Sequence, residues 1–286
     1  MINDVQNPDS IIIQAPAKLN LYLYVTGQRE DGYHELNSLV AFASICDSIQ
    51  VRPAPELTLT ASGPFADRLK LDEENLVWRA ARALQNVAKT AEGAELSLTK
   101  NMPVASGIGG GSANAAATIR ALIRLWSLKH IGHELPAVAL SLGADVPVCL
   151  YGRPALMSGV GELIKPAPKI PPAHLVIVNP GDAVSTKAVF KTREGPYSSP
   201  PEELKEAKSL QEFTLQLASR CNDLTAPALV ISPVIQEVLT ALETTKNCLF
   251  ARMSGSGATC YGIFETRRQA KVAASRISLM HPDWWI

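Results

Sequence analysis

Gly107-Ile108-Gly109-Gly110-Gly111-Ser112 runs straight into a segment whose apolar residues fall at helical spacing. Glycine accepts backbone angles that other residues avoid and lets a ligand approach the main chain closely. A helix N-terminus behind such a loop adds unbonded N–H groups and the positive end of the helix dipole, so the pattern suits an anion such as a nucleotide phosphate. Two familiar phosphate motifs are excluded. A dinucleotide fingerprint needs Gly or Ala where Ser112 stands, and an acidic ribose partner that the following segment lacks. A Walker loop ends in Gly-Lys-Ser/Thr, whereas Ser112 is flanked by Gly111 and Ala113. The first helical turn is expected at Ser112-Ala113-Asn114-Ala115, without the Glu or Gln of a capping box, which leaves its donors for a ligand. A plain turn is the competing reading, and four glycines ahead of an uncapped start weigh against it.

Other candidates are ambiguous one by one. Ser254-Gly255-Ser256-Gly257-Ala258-Thr259 is a second glycine turn between apolar runs, and its spacing fits a simple hairpin as well as a ligand contact. Lys18 and Asp145 are charges set among apolar neighbours; taken singly, each reads as a solvated or ion-paired residue before it reads as a catalyst. Tyr33 and His34 follow a glycine turn in DGYHEL and by themselves read as a packing feature. The histidines do not gather with carboxylates. His130 and His133 lie three apart, but His133-Glu134 has no second His at the zincin position, so no metal site is expected.

The elements that must position these residues alternate between strand and helix patterns. Residues 11–62 read as strands with an antiparallel start: IIIQA, KLNLYLYVTG, a segment over 36–52, and ELTLTA. In the second, Leu19, Leu21, Leu23 and Val25 point one way and Lys18, Asn20, Tyr22 and Tyr24 the other, so Lys18 and Asn20 share a side. Residues 75–89 carry helical spacing, AELSLTK is a short strand, and the helix after the glycine loop shows Ile119, Leu122, Ile123 and Trp126 as an apolar stripe. A short helix is expected over 134–142, and LGADVPVCLYG breaks it at Gly143 and carries Asp145 into an apolar run. Beyond residue 160 the reading is strand (HLVIVNPG), a polar Pro-rich excursion, helices near 202–218 and 233–244, a strand–turn–strand through the second glycine turn, and a helix near 267–278. The final DWWI is strand-like and reads as an abrupt place for a chain to stop.

With 286 residues, 47% of them hydrophobic and 19% charged, a folded chain of roughly two domains is expected, with a soft boundary that gives 1–160 and 161–286. Lys+Arg and Asp+Glu balance at 27 each, so no global basic field points to nucleic acid or an anionic membrane. The five cysteines are odd in number, widely spaced and mostly in apolar surroundings, as reduced core thiols in a cytoplasmic protein are. No run approaches the roughly 18–20 apolar residues of a membrane helix, and MINDVQNPDS lacks the regions of a signal peptide.

Taken together, the segments resemble the GHMP kinase family. Its three motifs correspond here to PAKLNLYLYVTG, PVASGIGGGSANAAA and MSGSGATCYGIF, and the similarity spans nearly the whole chain. PAKLNLYLYVTGQREDGYHEL and LGADVPVCLYG resemble the branch acting on a cytidyl diphosphate sugar alcohol, rather than the homoserine, mevalonate or galactose kinases. The resemblance implies an α+β, two-domain GHMP kinase fold: a ribosomal-protein-S5-like N-terminal domain and a ferredoxin-like C-terminal domain, with the active site between them. It implies transfer of the ATP γ-phosphoryl group, with Mg²⁺, to the 2-hydroxyl of diphosphocytidyl methylerythritol, on the non-mevalonate route to isoprenoid precursors.

Site residues follow from the same resemblance. Asp145 matches the catalytic aspartate that accepts the hydroxyl proton, and Lys18 the lysine whose charge stabilises that carboxylate and the reacting oxygens. The loop of Pro103, Val104, Ala105, Ser106, Gly107, Ile108, Gly109, Gly110, Gly111, Ser112 and Ala113 is expected to wrap the triphosphate, with Ser112 on Mg²⁺ or a phosphate oxygen. Tyr33 and His34 match positions that hold the cytidine, and Asn20, Thr186, Phe190, Gly255 and Gly257 are expected on the substrate side. Two departures stand out: Ile108 replaces a Leu, which is harmless, and Ala113 replaces a Ser, which removes one hydroxyl. Another GHMP kinase with a different alcohol, or a non-catalytic nucleotide-binding module, are the alternatives.

Overall fold

The computed structural model describes residues 6–7 and 10–286. Most of MINDVQNPDS, read above for a signal peptide, lies outside the described residues. The fold is α+β, and the chain divides into two compact units that do not follow a single cut. The first holds residues 1–18, 42–104 and 109–153; the second holds 19–41, 105–108 and 154–286.

The first unit contains β1 (Gln6–Asn7), the start of β2 (Ser10–Gln28), the end of β3 (His34–Ala54), β4 (Leu57–Ser62) and β5 (Gly93–Thr99). Their order is β1-β2-β3-β5-β4. β3 and β5 are antiparallel, from Ser48 opposite Thr99 to Ala54 opposite Gly93. β4 and β5 are parallel, which a crossover through α1 (Leu76–Ala88) makes possible. The two strands expected around Pro16 form one continuous β2. Among the described residues, β1 pairs with β2 through Gln6 opposite Ile11 and Asn7 opposite Ser10.

Asn75 caps α1 by accepting the Val77 N–H, and Lys89 ends it in the left-handed conformation. Val77, Ala80, Ala81 and Leu84 of α1 share a core with Ile49, Val51, Leu96 and Leu98 of the sheet. α2 (Gly110–Leu125) is buried nearly all round, not only along the expected stripe. Its Ala113, Ala115, Ala116, Ala117 and Ala121 are all in the core; small side chains allow the close approach that a helix buried on every side requires. Trp126 ends the stripe, its indole N–H donating to the Gly93 carbonyl at 3.2 Å. α3 (Leu135–Leu142) matches expectation, and α4 (Val146–Tyr151) is an addition too short for a period to reveal.

The second unit contains the rest of β2 and β3, with β6 (Ala155–Gly159) antiparallel to β3 and β7 (Leu163–Pro166) antiparallel to β6. β8 (His174–Val178), β9 (Phe250–Met253) and β10 (Cys260–Phe264) form an antiparallel sheet in the order β8-β10-β9. Helices α5 (Thr186–Thr192), α6 (Leu210–Ala218), α7 (Thr225–Ile231), α8 (Val234–Glu243) and α9 (Arg267–Met280) complete it. Val176, Val178, Ile235, Val238, Leu242, Phe264 and Ile277 make its core. The helix expected from 202 begins only at Leu210, where Ser209 caps it. The terminal WWI docks: Trp285 exchanges both backbone hydrogen bonds with Asn179 at 2.9 Å, and Trp284 and Ile286 pack on the core.

No helix among the described residues is long and apolar enough to cross a membrane. All five cysteines are free thiols, but only Cys149 and Cys260 are buried; Cys221, flanked by Arg220, Asn222 and Asp223, is exposed.

Candidate active site

In the first unit, Lys18 on β2 donates to Asp145 Oδ2 at 2.7 Å. Asp145 stands at the N-cap position of α4, yet its side chain makes no cap bond and is committed to the lysine instead. Lys18 is 3% exposed and the Asp145 side chain 32%, so a partly open carboxylate is held from behind by a buried cation. The neighbouring Cys149 offers no competing nucleophile. Burial, reinforced by Asp145, pushes its thiol up to about 12, so it stays protonated near neutral pH.

α2 starts at Gly110, two residues ahead of expectation, because Gly109 itself makes the cap in the left-handed conformation (φ 63°) without any side chain. The first helical bond runs from the Ala113 N–H to the Gly109 carbonyl at 2.8 Å. The N–H groups of Gly110, Gly111 and Ser112 therefore have no intrahelical acceptor. A Cβ on Gly109 would lie 3.1 Å from the Lys18 β-carbon, which puts these donors beside the Lys18–Asp145 pair. Ala113 presents neither side chain nor N–H, since the methyl is 1% exposed in the core and the N–H is bonded. A hydroxyl at this position would face the core rather than a ligand.

Residues 105–108, in the second unit, are fastened to the second glycine turn. The Ser254 hydroxyl accepts the Asn20 N–H at 3.1 Å and donates to the Gly107 carbonyl at 3.2 Å. The Thr259 N–H donates to the Ser106 carbonyl at 3.2 Å. Gly107 has φ 76°, and a Cβ there would stand 2.5 Å from the Gly257 carbonyl oxygen, so only glycine fits. Ile108 is fully buried and anchors the segment. The second turn is thus more than a hairpin: it is the seat of the first loop. Pro103 and Val104, by contrast, belong to the first unit.

Asn20 is buried, its Nδ2 donating to the Ser38 hydroxyl at 2.8 Å, which in turn donates to the Tyr22 carbonyl at 2.6 Å. Its Oδ1 has no partner among the described residues, and a Cβ on Gly255 would stand 3.3 Å away. Sequence reasoning missed Ser38 and Asn222. Asn222 donates to the Met253 and Gly255 carbonyls at 3.0 and 2.8 Å and braces the turn; neither stands out locally, since Ser38 follows Asn37 and Asn222 lies in the polar run Arg220-Cys221-Asn222-Asp223.

α5 carries Thr186 and Phe190 one turn apart, on one face. Thr186 and Ser256 share a hydroxyl hydrogen bond of 2.8 Å. The Phe190 ring stacks on His34 at 4.6 Å, and Tyr197 meets His34 edge-on at 6.5 Å. Burial, with Arg193 adding to it, lowers the His34 pKa and favours the neutral ring. Tyr33 is not part of the stack: it is 61% exposed, with its N–H tied to Asp31 Oδ1 at 3.1 Å. Arg193 and Tyr197 come from the polar Pro-rich excursion, which gave no sign of them. Among the described residues, no group of three or more His, Cys, Asp or Glu is set to hold a metal ion.

Comparison with known proteins fits this geometry. The family model described as "GHMP kinases N terminal domain" matches residues 75–153, and "GHMP kinases C terminal" matches 202–282. A 4-diphosphocytidyl-2-C-methyl-D-erythritol kinase of Paramagnetospirillum magneticum is 51% identical over 283 residues, covering 97% of each chain. One of Cereibacter sphaeroides is 50% identical over 276 residues, covering 95% of this chain and 96% of the relative. A crystal structure of a 4-(cytidine 5'-diphospho)-2C-methyl-D-erythritol kinase superposes with a TM-score of 0.74 at 33% identity, covering 96% of this chain and 97% of that one.

Proposed function

The chain belongs to the GHMP kinase family, and on that premise we propose that it uses ATP to phosphorylate the 2-hydroxyl of 4-diphosphocytidyl-2-C-methyl-D-erythritol, on the non-mevalonate route to isoprenoid precursors. The acceptor rests on the relatives' identity over nearly their whole length. The chemistry rests on one observation above all, the 2.7 Å Lys18–Asp145 pair beside the N–H groups that open α2 without an intrahelical acceptor.

Asp145 accepts the hydroxyl proton as the oxygen attacks the γ-phosphorus, and Lys18 fixes the carboxylate and stabilises charge on the reacting oxygens. Main-chain N–H groups of the Pro103–Ser112 loop hold the phosphates, so most of the rate comes from positioning. Tyr33, His34 and Phe190 hold the cytosine by ring contact, with Asn20, Thr186, Gly255 and Gly257 on the same substrate side. Mg²⁺, when bound, neutralises charge developing on the phosphates. Since no carboxylate cluster stands ready among the described residues, the ion would rest chiefly on the nucleotide, as Mg²⁺ commonly does, with the Ser112 hydroxyl as the oxygen this chain would offer it. We take the functional division, as read from the sequence, to lie near residue 160. Zero formal charge and free thiols support a cytoplasmic enzyme of a small-molecule substrate, without nucleic acid or membrane as partner.

The test is ADP release by the purified protein from ATP and Mg²⁺, with the diphosphocytidyl compound beside homoserine, mevalonate and galactose. Turnover with the cytidyl compound alone is expected; turnover with another alcohol would overturn the acceptor, and none at all would favour a binding module.

A further inference from the structure

Asp47 on β3 and Lys100, just past β5, form an ion pair that solvent does not reach: the residues are 0% and 2% exposed. Such a pair adds little net stability, because removing two charges from water offsets most of their attraction. Its placement shows what else it does. Asp47 Oδ2 takes the Lys100 ammonium, while Oδ1 accepts the N–H of Asn101 at 2.7 Å and of Met102 at 3.0 Å. Those two residues lead directly into Pro103, where the glycine loop begins.

The backbone of Lys100 is fixed as well, its N–H donating to the Ser62 carbonyl at 2.7 Å and its carbonyl accepting the Phe65 N–H at 3.2 Å. The side chain reaches the other end of the loop. A Cβ on Gly110, the first residue of α2, would stand 3.2 Å from the ammonium nitrogen and 3.9 Å from Asp47 Oδ2. One buried pair thus touches the residues on both sides of the loop.

We propose that Asp47 and Lys100 are a positioning pair for phosphate binding: they pin the loop's entry through Asn101 and Met102 and its exit through Gly110, so that the N–H groups opening α2 meet the ATP phosphates. This rests on the kinase reading above. Neither side chain touches substrate; the pair acts through the main chain it holds.

The test is the double variant Asp47→Asn/Lys100→Met, which removes both charges together and keeps an oxygen for the Asn101 and Met102 N–H groups. Calorimetric Kd for ATP and KM for the cytidyl compound are measured below the variant's melting temperature. The expected result is an ATP Kd raised about tenfold or more, since a misplacement of about 1 Å costs up to about a hundredfold, with the acceptor KM near wild type. An unchanged ATP Kd, or a parallel rise in both constants, would overturn the positioning role and leave a purely structural pair. If the double variant does not melt cooperatively, Gly110→Ala decides by the same two constants, because its methyl meets the ammonium while alanine favours the helix. Wild-type protein that binds ATP but leaves the cytidyl compound unphosphorylated would sink the acceptor assignment alone, and the pair would still stand or fall on ATP Kd.

Discussion

Gly109 and Lys18 lie so close that a methyl group on the glycine would sit 3.1 Å from the lysine β-carbon and 3.5 Å from its δ- and ε-carbons. The start of α2 and the lysine of the ion pair therefore share one steric constraint. Gly109→Val adds a branched side chain at φ 63°, at a conformational cost of about 1–2 kcal/mol, and displaces Lys18. Both a weaker ATP Kd by calorimetry and a lower kcat are expected; a wild-type Kd would move the phosphate site elsewhere.

Asp145→Asn removes the charge and keeps an oxygen for Lys18. Loss of a general base lowers kcat by at least about a hundredfold, while ATP binding, which does not need the base, stays near wild type. Turnover at the wild-type rate would take Asp145 out of the mechanism.

The ring of Phe190, already stacked on His34, offers a face to a base. Phe190→Ala is expected to cost about 1–3 kcal/mol in acceptor binding, seen as a raised KM for the cytidyl compound with the ATP KM little altered. Tyr33→Ala should act in the same direction. The opposite order for both variants would mean that the two pockets have been exchanged.

His34 carries a pH signature. Its pKa is lowered in the folded chain, first by burial and then by Arg193, so as pH falls through about 6.5 the unfolded chain takes up the proton before the folded one does. The stability it contributes is complete above that value and is lost as pH falls toward the lowered pKa. Arg193→Gln should raise the His34 pKa only part of the way back, because burial remains. An NMR titration of the imidazole checks this, and an unmoved midpoint would exclude Arg193 as a cause.

The candidate site's residues stood out where chemistry and local pattern coincide: Lys18 and Asp145 as charges in apolar runs, and the glycines as unusual backbone. Long-range partners were not. Asp47 alternates within an ordinary strand, and nothing local ties it to Lys100 across 53 residues. Strand alternation also misjudged β2, whose residues 15–23 are buried on both faces, so that Lys18 and Asn20 are enclosed rather than solvated. The helix start was misplaced because a left-handed glycine cap leaves no side-chain signature, and α4, α5 and β6 are too short to show a period. Arg193 and Tyr197 sit in a stretch with no period at all, and only the fold brings them to His34.

The interleaving of the two units has a consequence for how the chain emerges during synthesis. Every residue of the first unit has been made once residue 153 is in place, whereas the second unit begins at Leu19 and draws on residues as late as Ile286. At about 5–20 residues per second, the interval between the two is on the order of ten seconds. Through that interval the apolar side chains of Leu23 and Val25, which end up in the second core, wait for partners such as Val176, Phe264 and Ile277 that the ribosome has yet to deliver. Of the second core, this stretch of β2 is the part that waits longest for its partners.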